Sequence, residues 1–320
     1  MARPSTNPLQ LVYGLPRFYA GLCFFVDSTN GSYSYSGLDP KTPLRSINAA
    51  VAKCVADRDD VILVLAGYNN LNTSTETGGD DVIDLDVDGI TVLSCSKNVT
   101  VQAIASGGSI FTIGADRVTL GALPGCQWMA IDAVAGTTST VVEIETGSVG
   151  CDVGWINTGP GTTMGNYDEL ITVAATAHGS YIHDCRFIGD ATDTDEGIMI
   201  QGTVDGLRVE RVTLIDCNTG SAQIYSNSVH TNCLIKDCLL VSATASKYGI
   251  NFNGASATGL LVGNRIMVAD EAKGCVNQLC YELDQWINDA ATTQGGIVPA
   301  GATVTSDRRA KLEIVYLKAA

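Results

Sequence analysis

Basic residues, histidine and proline are scarce in this chain. Only 19 of its 320 residues are lysine or arginine, against 34 aspartates and glutamates, so the net charge is −15. We therefore expect no nucleic-acid partner, because phosphate binding needs clustered lysine and arginine. Three histidines, His178, His183 and His230, are too few and too scattered to predict a metal centre.

Long apolar runs are also missing. No stretch of about 18 apolar residues occurs, so no membrane span is expected. The first residues have no apolar core behind a basic start, so we expect no secretory signal. The 11 cysteines are odd in number, and the pairs Cys233/Cys238 and Cys275/Cys280 are five apart, unlike a zinc pattern. Most thiols are expected to be free and buried, in a reducing cytosol.

What the sequence does contain is a repeat. The first series has apolar anchors at Ile182, Val209, Ile235 and Val262, spaced 27, 26 and 27 residues apart. Each anchor is followed, five and six places later, by two more apolar residues. A second series consists of Ile198, Ile224 and Ile250, spaced 26 and 26. Two series with one period in the twenties indicate a solenoid.

The repeat predicts strands rather than helices. Its segments are short, rich in β-branched residues, and separated by Gly, Asn, Asp and Ser. The fold we expect is all-β: a right-handed parallel β-helix whose coils bury their apolar residues by stacking on one another. Earlier anchors at Val64, Val92, Leu120 and Val153 extend the count to about eight coils. At a strand spacing of about 4.8 Å these make a rod of roughly 40 Å.

Three regions are expected along the chain. Residues 1–22 predict an extended N-terminal arm, residues 23–270 the capped β-helix, and residues 271–320 a C-terminal module. Within the cap, Pro43 favours a helix over about 44–57 that would cover the open end of the rod. The apolar face of that helix would consist of Ile47, Val51, Cys54 and Val55.

The C-terminal module is predicted to contain a helix and a strand. Six apolar residues share one helical face over 271–291: Val276, Leu279, Cys280, Leu283, Trp286 and Ile287. A final strand is predicted over 311–317. The rod would then end near Asp270, and the module would cap it or join subunits.

The N-terminal segments carry a resemblance to a known family. Phe24 to Ser32, Gly37 to Val51 and Asp60 to Gly67 resemble the cap and first coil of pectin-lyase-like right-handed β-helix proteins. With the arm over 7–16, the chain is similar to β-helix proteins common in tailed-bacteriophage genomes, where they are virion components. The resemblance implies a homotrimer. It implies no activity, since enzymes and inert spikes share this cap.

Two motifs suggest chemistry at first sight. Asp84-Leu-Asp-Val-Asp-Gly89 looks like a calcium loop, but position twelve of the pattern is Cys95 rather than glutamate. We interpret it as an acidic outer stripe on one coil. In His183-Asp184-Cys185, strand alternation would place His183 and Cys185 on one side and Asp184 on the other.

The recurrence of Asp-Cys at Asp237-Cys238 indicates a structural role for the second motif. A turn stack is predicted, made of Asp184, Arg211, Asp237 and Asn264.

Polysaccharide cleavage is the competing hypothesis. A hydrolase needs two carboxylates across the scissile bond. The candidates are Asp190, Asp193, Asp195, Glu196 and Asp216. They follow no fixed pattern, the motifs of pectate lyases and polygalacturonases are not visible, and scarce Lys and Arg on the coils disfavour acidic glycans.

Together with this resemblance, the sequence favours a non-enzymatic bacteriophage virion structural protein, a capsid decoration protein or head spike, with no catalytic, cofactor-binding or metal-ligating residue. Its expected partners are itself, as a homotrimer, and the major capsid protein or another virion protein, with a surface glycan as a further candidate. It would be assembled in the host cytoplasm and located in the virion. The alternative is a tail-associated receptor-binding protein or polysaccharide depolymerase.

Overall fold

Short strands of two to five residues stack into parallel sheets along most of the chain. The computed structural model describes residues 21–70, 82–97, 99–102, 108–131, 140–158, 167–189, 194–217, 220–226, 228–244, 246–252 and 258–269, and the strand segments 275–276, 280–282, 285–288 and 294–295. From residue 91 onward, successive strands belong to three sheets in turn, so that each coil contributes one strand to each sheet. This confirms the predicted parallel β-helix.

Sheet A has ten strands, in the order given. They are β1 (Cys23–Val26), β2 (Val61–Val64), β4 (Thr91–Ser94), β7 (Thr119–Ala122), β10 (Asp152–Gly154), β13 (Tyr181–His183), β17 (Arg208–Glu210), β21 (Cys233–Lys236), β24 (Gly259–Val262) and β27 (Cys280–Glu282).

Sheet B has nine strands. They are β5 (Val99–Gln102), β8 (Trp128–Ile131), β11 (Ile156–Thr158), β14 (Arg186–Ile188), β18 (Thr213–Ile215), β22 (Leu239–Ser242), β25 (Arg265–Val268), β28 (Gln285–Asn288) and the antiparallel β29 (Gln294–Gly295).

Sheet C has eight strands. They are β3 (Ile83–Leu85), β6 (Ser109–Ile113), β9 (Thr140–Ile144), β12 (Glu169–Val173), β15 (Glu196–Ile200), β19 (Ala222–Ser226), β23 (Tyr248–Phe252) and β26 (Cys275–Val276). A further pair, β16 (Val204–Asp205) and β20 (His230–Thr231), bridges two coils. With ten, nine and eight strands per sheet, the number of coils differs slightly from the eight predicted.

Stacked apolar side chains fill the interior. The second predicted series is confirmed, since Ile198 pairs with Ile224 and Ile224 with Ile250, and all three are fully buried. The first series holds for Ile182, Val209 and Ile235. Each of these apolar side chains is thus covered by the matching side chains of the coils before and after it, which couples the stability of neighbouring coils.

The predicted register is wrong by one residue in the last coil of that series. Ile235 pairs with Leu261 rather than Val262, and Leu261 is fully buried. The same shift exposes Met267 to 41% and buries Ile266 in its place. Leu260 to Val262 are all apolar, so composition fits both registers. Gly263, with a left-handed φ of 66°, takes the turn position that selects the observed one.

The first anchor is also misplaced. Val92 pairs with Ile62, whereas Val64 pairs with Ser94. Ile62 and Val64 are two residues apart on one strand, so both side chains point inward, and both are fully buried. Alternation within a strand therefore could not tell which of them begins the series.

The N-terminal helix is shorter than predicted but lies where it was expected. The helix α1 covers Ile47–Val51, and the Ser46 side chain caps it by accepting a hydrogen bond from the Ala49 amide at 3.1 Å. Turns follow it, and Val55 is 50% exposed rather than buried on the helix face.

The side chain of Asn48 explains how α1 covers the end of the rod. Its amide nitrogen donates to the carbonyl of Val82 at 2.6 Å, and its oxygen accepts from the amide of Asp84 at 2.9 Å. Strand β3 is the edge of sheet C. Asn48 thus satisfies backbone groups that an edge strand would otherwise expose.

The predicted helix over 271–291 is wrong. Strands β26, β27 and β28 lie within this range and pair in parallel with β23, β24 and β25. The sheets therefore continue past residue 270, where we expected the rod to end. Very short strands separated by turns can mimic helical spacing, because apolar residues then recur every three or four positions.

Two further predictions fall on residues 1–20 and 311–317, which lie outside the described part of the chain: the N-terminal arm and the final strand. Across the described residues, no helix is long and apolar enough to cross a lipid bilayer.

Candidate functional site

The Asp84–Gly89 motif lies along the outside of one coil. Asp84 and Asp86 are exposed on either side of the buried Leu85, as the stripe interpretation predicts. The carboxylate of Asp88 accepts a hydrogen bond from the backbone amide of Asp116 on the next coil, at 2.9 Å. In the part of the chain that the structure describes, no three His, Cys, Asp or Glu side chains are grouped as metal ligands.

The predicted alternation in His183-Asp184-Cys185 is wrong. Asp184 adopts a left-handed φ of 51°, which turns the chain between sheets A and B. His183 therefore faces outward and contacts Asp184, while Cys185 is buried and donates through its Sγ to the His183 carbonyl. Burial raises the pKa of the Cys185 thiol to about 12. Cys185 is not a nucleophile in this setting.

The nine cysteines with described side chains are all free, and six of them are buried. The thiols of Cys217 and Cys238 resemble Cys185, since burial raises the pKa of each to about 12. These residues act as small apolar side chains in the core.

Asp184 belongs to the predicted stack of turn residues. Asp184, Arg211 and Asp237 have left-handed φ angles of 51°, 54° and 53° on successive coils. The fourth position is held by Gly263 rather than the predicted Asn264, in keeping with the register shift. Asn264 is buried instead, and its side chain bonds the Cys238 amide and the Ile235 carbonyl.

Opposite charges alternate around this stack, in what we term the charge-matched network. Its members are Asp152, His183, Asp184, Arg208, Glu210 and Arg211. Arg211 binds Asp184 at 2.7 Å and Glu210 at 3.0 Å, and Arg208 binds Glu210 at 2.6 Å.

These ion pairs set the ionisation of the network. The Arg211 hydrogen bonds lower the pKa of Asp184. Burial alone would raise the pKa of Glu210, but Arg208 and the other cations lower it overall. Burial alone would lower the pKa of His183, yet hydrogen bonds to Asp152 and Asp184 raise it. The two arginines thus favour the ionised forms of Asp184 and Glu210, and the carboxylates beside His183 favour its imidazolium form.

A second set of carboxylates lies on sheet C, where carboxyl groups stand beside one another. We term Glu169 and Glu196 the acidic pair, and these two with Asp168 and Asp195 the acidic cluster. Glu169 and Glu196 begin the neighbouring strands β12 and β15 and are paired in register. Adjacent strands lie about 4.8 Å apart, so the two glutamates stand next to each other.

The backbone around Glu196 holds its carboxylate in place. The amide of Ser221 donates to Glu196 Oε1 at 2.9 Å. A Cβ atom at Gly220 would lie 2.4 Å from the same oxygen, so only glycine lets the backbone approach this closely. Glu196 is only 8% exposed. On the neighbouring strand, the Thr140 hydroxyl donates to Glu169 at 3.5 Å.

Three carboxyl groups of the acidic cluster, those of Asp168, Glu169 and Glu196, have raised pKa values. Burial, and next the charge of Asp195, raise the pKa of Glu196 to about 7. Burial and the charges of Asp168 and Asp195 also raise the pKa of Glu169. Burial and Asp195 do the same for Asp168. The Glu196 carboxyl group is therefore partly protonated at neutral pH, which is the condition for a general acid.

The sequence had named some of these residues and missed others. Asp195 and Glu196 belong to the cluster, whereas Asp216 is a turn residue whose carboxylate accepts from the Ala243 amide. Asp190 and Asp193 lie outside the described residues. Asp168 and Glu169 were missed, although Asp168-Glu169 and Asp195-Glu196 repeat the same dipeptide 27 residues apart. That spacing equals the coil period and was the signal available.

A buried serine–histidine contact, between Ser226 and His230, was also missed. The Ser226 hydroxyl and His230 Nε2 are hydrogen-bonded, and both residues are fully buried. The His230 ring packs against Phe252, and burial lowers its pKa to about 4. Because no solvent reaches either group, the pair stabilises a coil junction and does not act on a substrate.

No protein-family model matches the chain, and no curated protein matches it. Among solved structures, the chain is similar to the GH136 lacto-N-biosidase from Eubacterium ramulus. Its selenomethionine derivative has 14% identity and a TM-score of 0.40, over 85% of this chain and 56% of the enzyme. The native form has 12% identity and a TM-score of 0.35, over 83% and 55%.

The chain spans a little over half the length of that enzyme. At these identities the comparison assigns no residue a role. Both of these structures are of one glycoside hydrolase and not of a virion component. This finding contradicts the prediction of a non-enzymatic virion structural protein, and with it the prediction that the chain is not an enzyme.

Proposed function

We propose that the chain is a glycoside hydrolase in which Glu196 is the general acid and Glu169 the second carboxylate. The observation that carries the proposal is the pKa of Glu196, raised to about 7 beside Glu169 on the neighbouring strand. Hydrolysis of a glycosidic bond needs one protonated and one ionised carboxyl group on either side of the bond.

The two carboxyl groups divide the reaction between them. Glu196 donates its proton to the glycosidic oxygen as the bond to the anomeric carbon breaks, and the leaving sugar departs as an alcohol. Glu169 attacks the anomeric carbon as that bond breaks and forms a glycosyl ester. Water then attacks the same carbon, the ester bond to Glu169 breaks, and Glu196 takes the proton of the water, which restores the starting state.

Strand spacing favours one stereochemical course. The strands of Glu169 and Glu196 are direct neighbours, about 4.8 Å apart. Carboxyl groups about 5–5.5 Å apart belong to retaining enzymes, because a larger gap is needed to admit water opposite the leaving group. Retention of anomeric configuration is therefore part of the proposal.

The electrostatics favour a neutral substrate. Four carboxyl groups form the acidic cluster, and Lys247 is the cation whose charge acts on Glu196. Lys247 Nζ donates to the Gly220 carbonyl at 2.6 Å, beside the acidic pair. An anionic glycan would be repelled from this face. We infer that neutral oligosaccharides are the substrate class.

The proposal is tested with the purified full chain and a panel of neutral oligosaccharides and aryl glycosides. We expect release of reducing ends from at least one substrate, and a loss of about 10²- to 10⁴-fold in kcat with Glu196→Gln. Glu169→Gln should be similarly impaired. Glu145→Gln, at an exposed glutamate just after β9, is the matched control and should retain full activity. No hydrolysis across the panel, or an active Glu196→Gln enzyme, would refute the assignment.

A surface glycan was already among the expected partners, and a depolymerase was the alternative function. Glycan cleavage at the acidic pair agrees with both. The homotrimer, a virion protein as partner and assembly in a host cytoplasm stay predictions, which sedimentation of the purified chain and its location in cells would test.

A further inference from the structure

An exposed tryptophan occupies a backbone position that suits it poorly. Trp155 has a left-handed φ of 62°, on the turn that follows strand β10. On the next three coils the turn after the sheet A strand is made by Asp184, Arg211 and Asp237. A bulky residue is strained in this conformation, and Trp155 is also 41% exposed. A large aromatic surface is thus left open to solvent at a strained position, which points to a role outside the fold.

Flat side chains continue from Trp155 across two further coils. The ring of Trp155 meets that of His183 edge to face, with centroids 6.4 Å apart. His183 stacks on Tyr181 at 4.5 Å and 23°. The guanidinium of Arg208 lies 4.7 Å from the centre of the Tyr181 ring. We term these four residues the aromatic platform.

Glycine at position 154 allows this arrangement. A Cβ atom there would lie 2.6 Å from Cε1 of His183. The imidazole therefore lies over the backbone of the preceding strand, which carries no side chain at that position. The platform crosses three strands, so it extends about 10 Å at a spacing of about 4.8 Å.

Polar groups of both charges surround the platform. Asp152 and Arg211 have side chains 40% and 45% exposed, and Arg208 is 52% exposed. The carboxylates accept and the guanidinium groups donate hydrogen bonds, which are the two roles that sugar hydroxyls need. Since cations and anions alternate here, the surface favours neither a polyanion nor a polycation.

We propose that the aromatic platform binds a neutral oligosaccharide, which stacks an apolar sugar face on Trp155 while its hydroxyls bond Asp152 and Arg211. An aromatic surface with a few fixed polar groups is the usual composition of a small-molecule site. The platform lies at sheet A, whereas the acidic pair lies on sheet C. It would hold the same class of glycan that the proposed activity cleaves, but the binding does not depend on cleavage.

The test uses Trp155→Gly, because glycine accepts the left-handed turn while removing the ring. Asp237→Gly is the matched control: it makes the same backbone change two coils from Asp184 without touching the platform. Binding is measured by a microarray of neutral, sialylated and sulfated oligosaccharides, followed by titration calorimetry with the best ligand.

We expect the full chain to bind a neutral oligosaccharide, Trp155→Gly to weaken it at least tenfold, and Trp155→Tyr to restore part of the affinity. Asp237→Gly and Glu196→Gln should bind as the parent does, and Trp155→Gly should unfold at a Tm no lower than the parent. Three results would each overturn the proposal: no neutral ligand, unchanged binding by Trp155→Gly, or loss of binding only with Glu196→Gln. The last would assign binding to the acidic pair.

Discussion

Two contacts between neighbouring coils differ in the charge that lies beside a carboxyl group: a second carboxyl group in one, an arginine in the other. On sheet C, Glu196 stands beside Glu169, and at the end of sheet A, Arg211 stands beside Asp184. Both pairs are 27 residues apart and join successive coils. The pKa of Glu196 is raised to about 7, while that of Asp184 is lowered.

The largest cause decides the direction of each pKa shift: burial for Glu196, and the hydrogen bonds from Arg211 for Asp184. Burial raises the pKa of both carboxyl groups, but Arg211 overrides it for Asp184, whereas Asp195 and Glu169 add to it for Glu196. A carboxylate matched by a cation serves the fold, and one beside another carboxylate is prepared for proton transfer. The same solenoid position can thus carry either role.

The largest expected effect is the pH dependence that the acidic pair gives to the stability of the protein. The pKa of Glu196 is about 7 in the fold and 4.5 in its ordinary state. The folded state therefore holds the proton more tightly, and stability falls as pH rises from 4.5 through 7, by about 3 kcal/mol at about 1.4 kcal/mol per pKa unit. Glu196→Gln should remove this dependence in denaturant unfolding at pH 4 to 8. The Glu145→Gln control should keep the parent's slope.

Removing Arg211 from the charge-matched network should change the pH dependence of stability in the opposite direction. Arg211→Met leaves Asp184 and Glu210 without their shared partner, and we expect unfolding to become easier by about 1–3 kcal/mol at pH 7. The loss should shrink at low pH, as the carboxylates become protonated. Arg186→Met, at an exposed arginine on β14, serves as the control and should change stability by less than about 0.5 kcal/mol. Equal effects of the two variants would remove the contrast between the two regions.

The smallest effect is expected at the edge of the network. His183 has a raised pKa, so its contribution to stability is complete below 6.5 and is lost as pH rises through the folded value. Asp152→Asn should lower the His183 pKa in an NMR titration of its ring protons. The change in stability should stay under about 1 kcal/mol, because the Asp152 side chain is 40% exposed. An unshifted His183 would mean that Asp184 alone holds the imidazolium.

The sequence predicts the fold well where its period is unambiguous. Ile198, Ile224 and Ile250 pair in sheet C as predicted, because the same residue type recurs at one spacing in three coils. The predicted register failed at Val262, where three consecutive apolar residues fit two registers. The prediction also failed over 271–291, where spacing of three and four residues describes a helix and a coil of short strands equally well.

The sequence implied where the acidic pair lies, but not that the pKa values of its carboxyl groups are raised. The repeated Asp-Glu at Asp168 and Asp195 follows the coil period, so proximity was implied. Whether the pKa of a carboxyl group is raised or lowered depends on the charges that other parts of the chain place beside it. Lys247 acts in this way on Glu196, and Arg211 on Asp184. The aromatic platform was less accessible still, since the left-handed turn at Trp155 leaves no mark in composition.

The pKa of Glu196 tests this account most directly. Carbon-13 NMR of the glutamate side-chain carboxyl groups, with the Glu196 resonance assigned through Glu196→Gln, would follow its titration in the intact chain. We predict a midpoint near 7, which falls when Glu169→Gln removes the neighbouring charge. A midpoint near 4.5 that Glu169→Gln does not move would contradict the acidic pair and the hydrolase built on it.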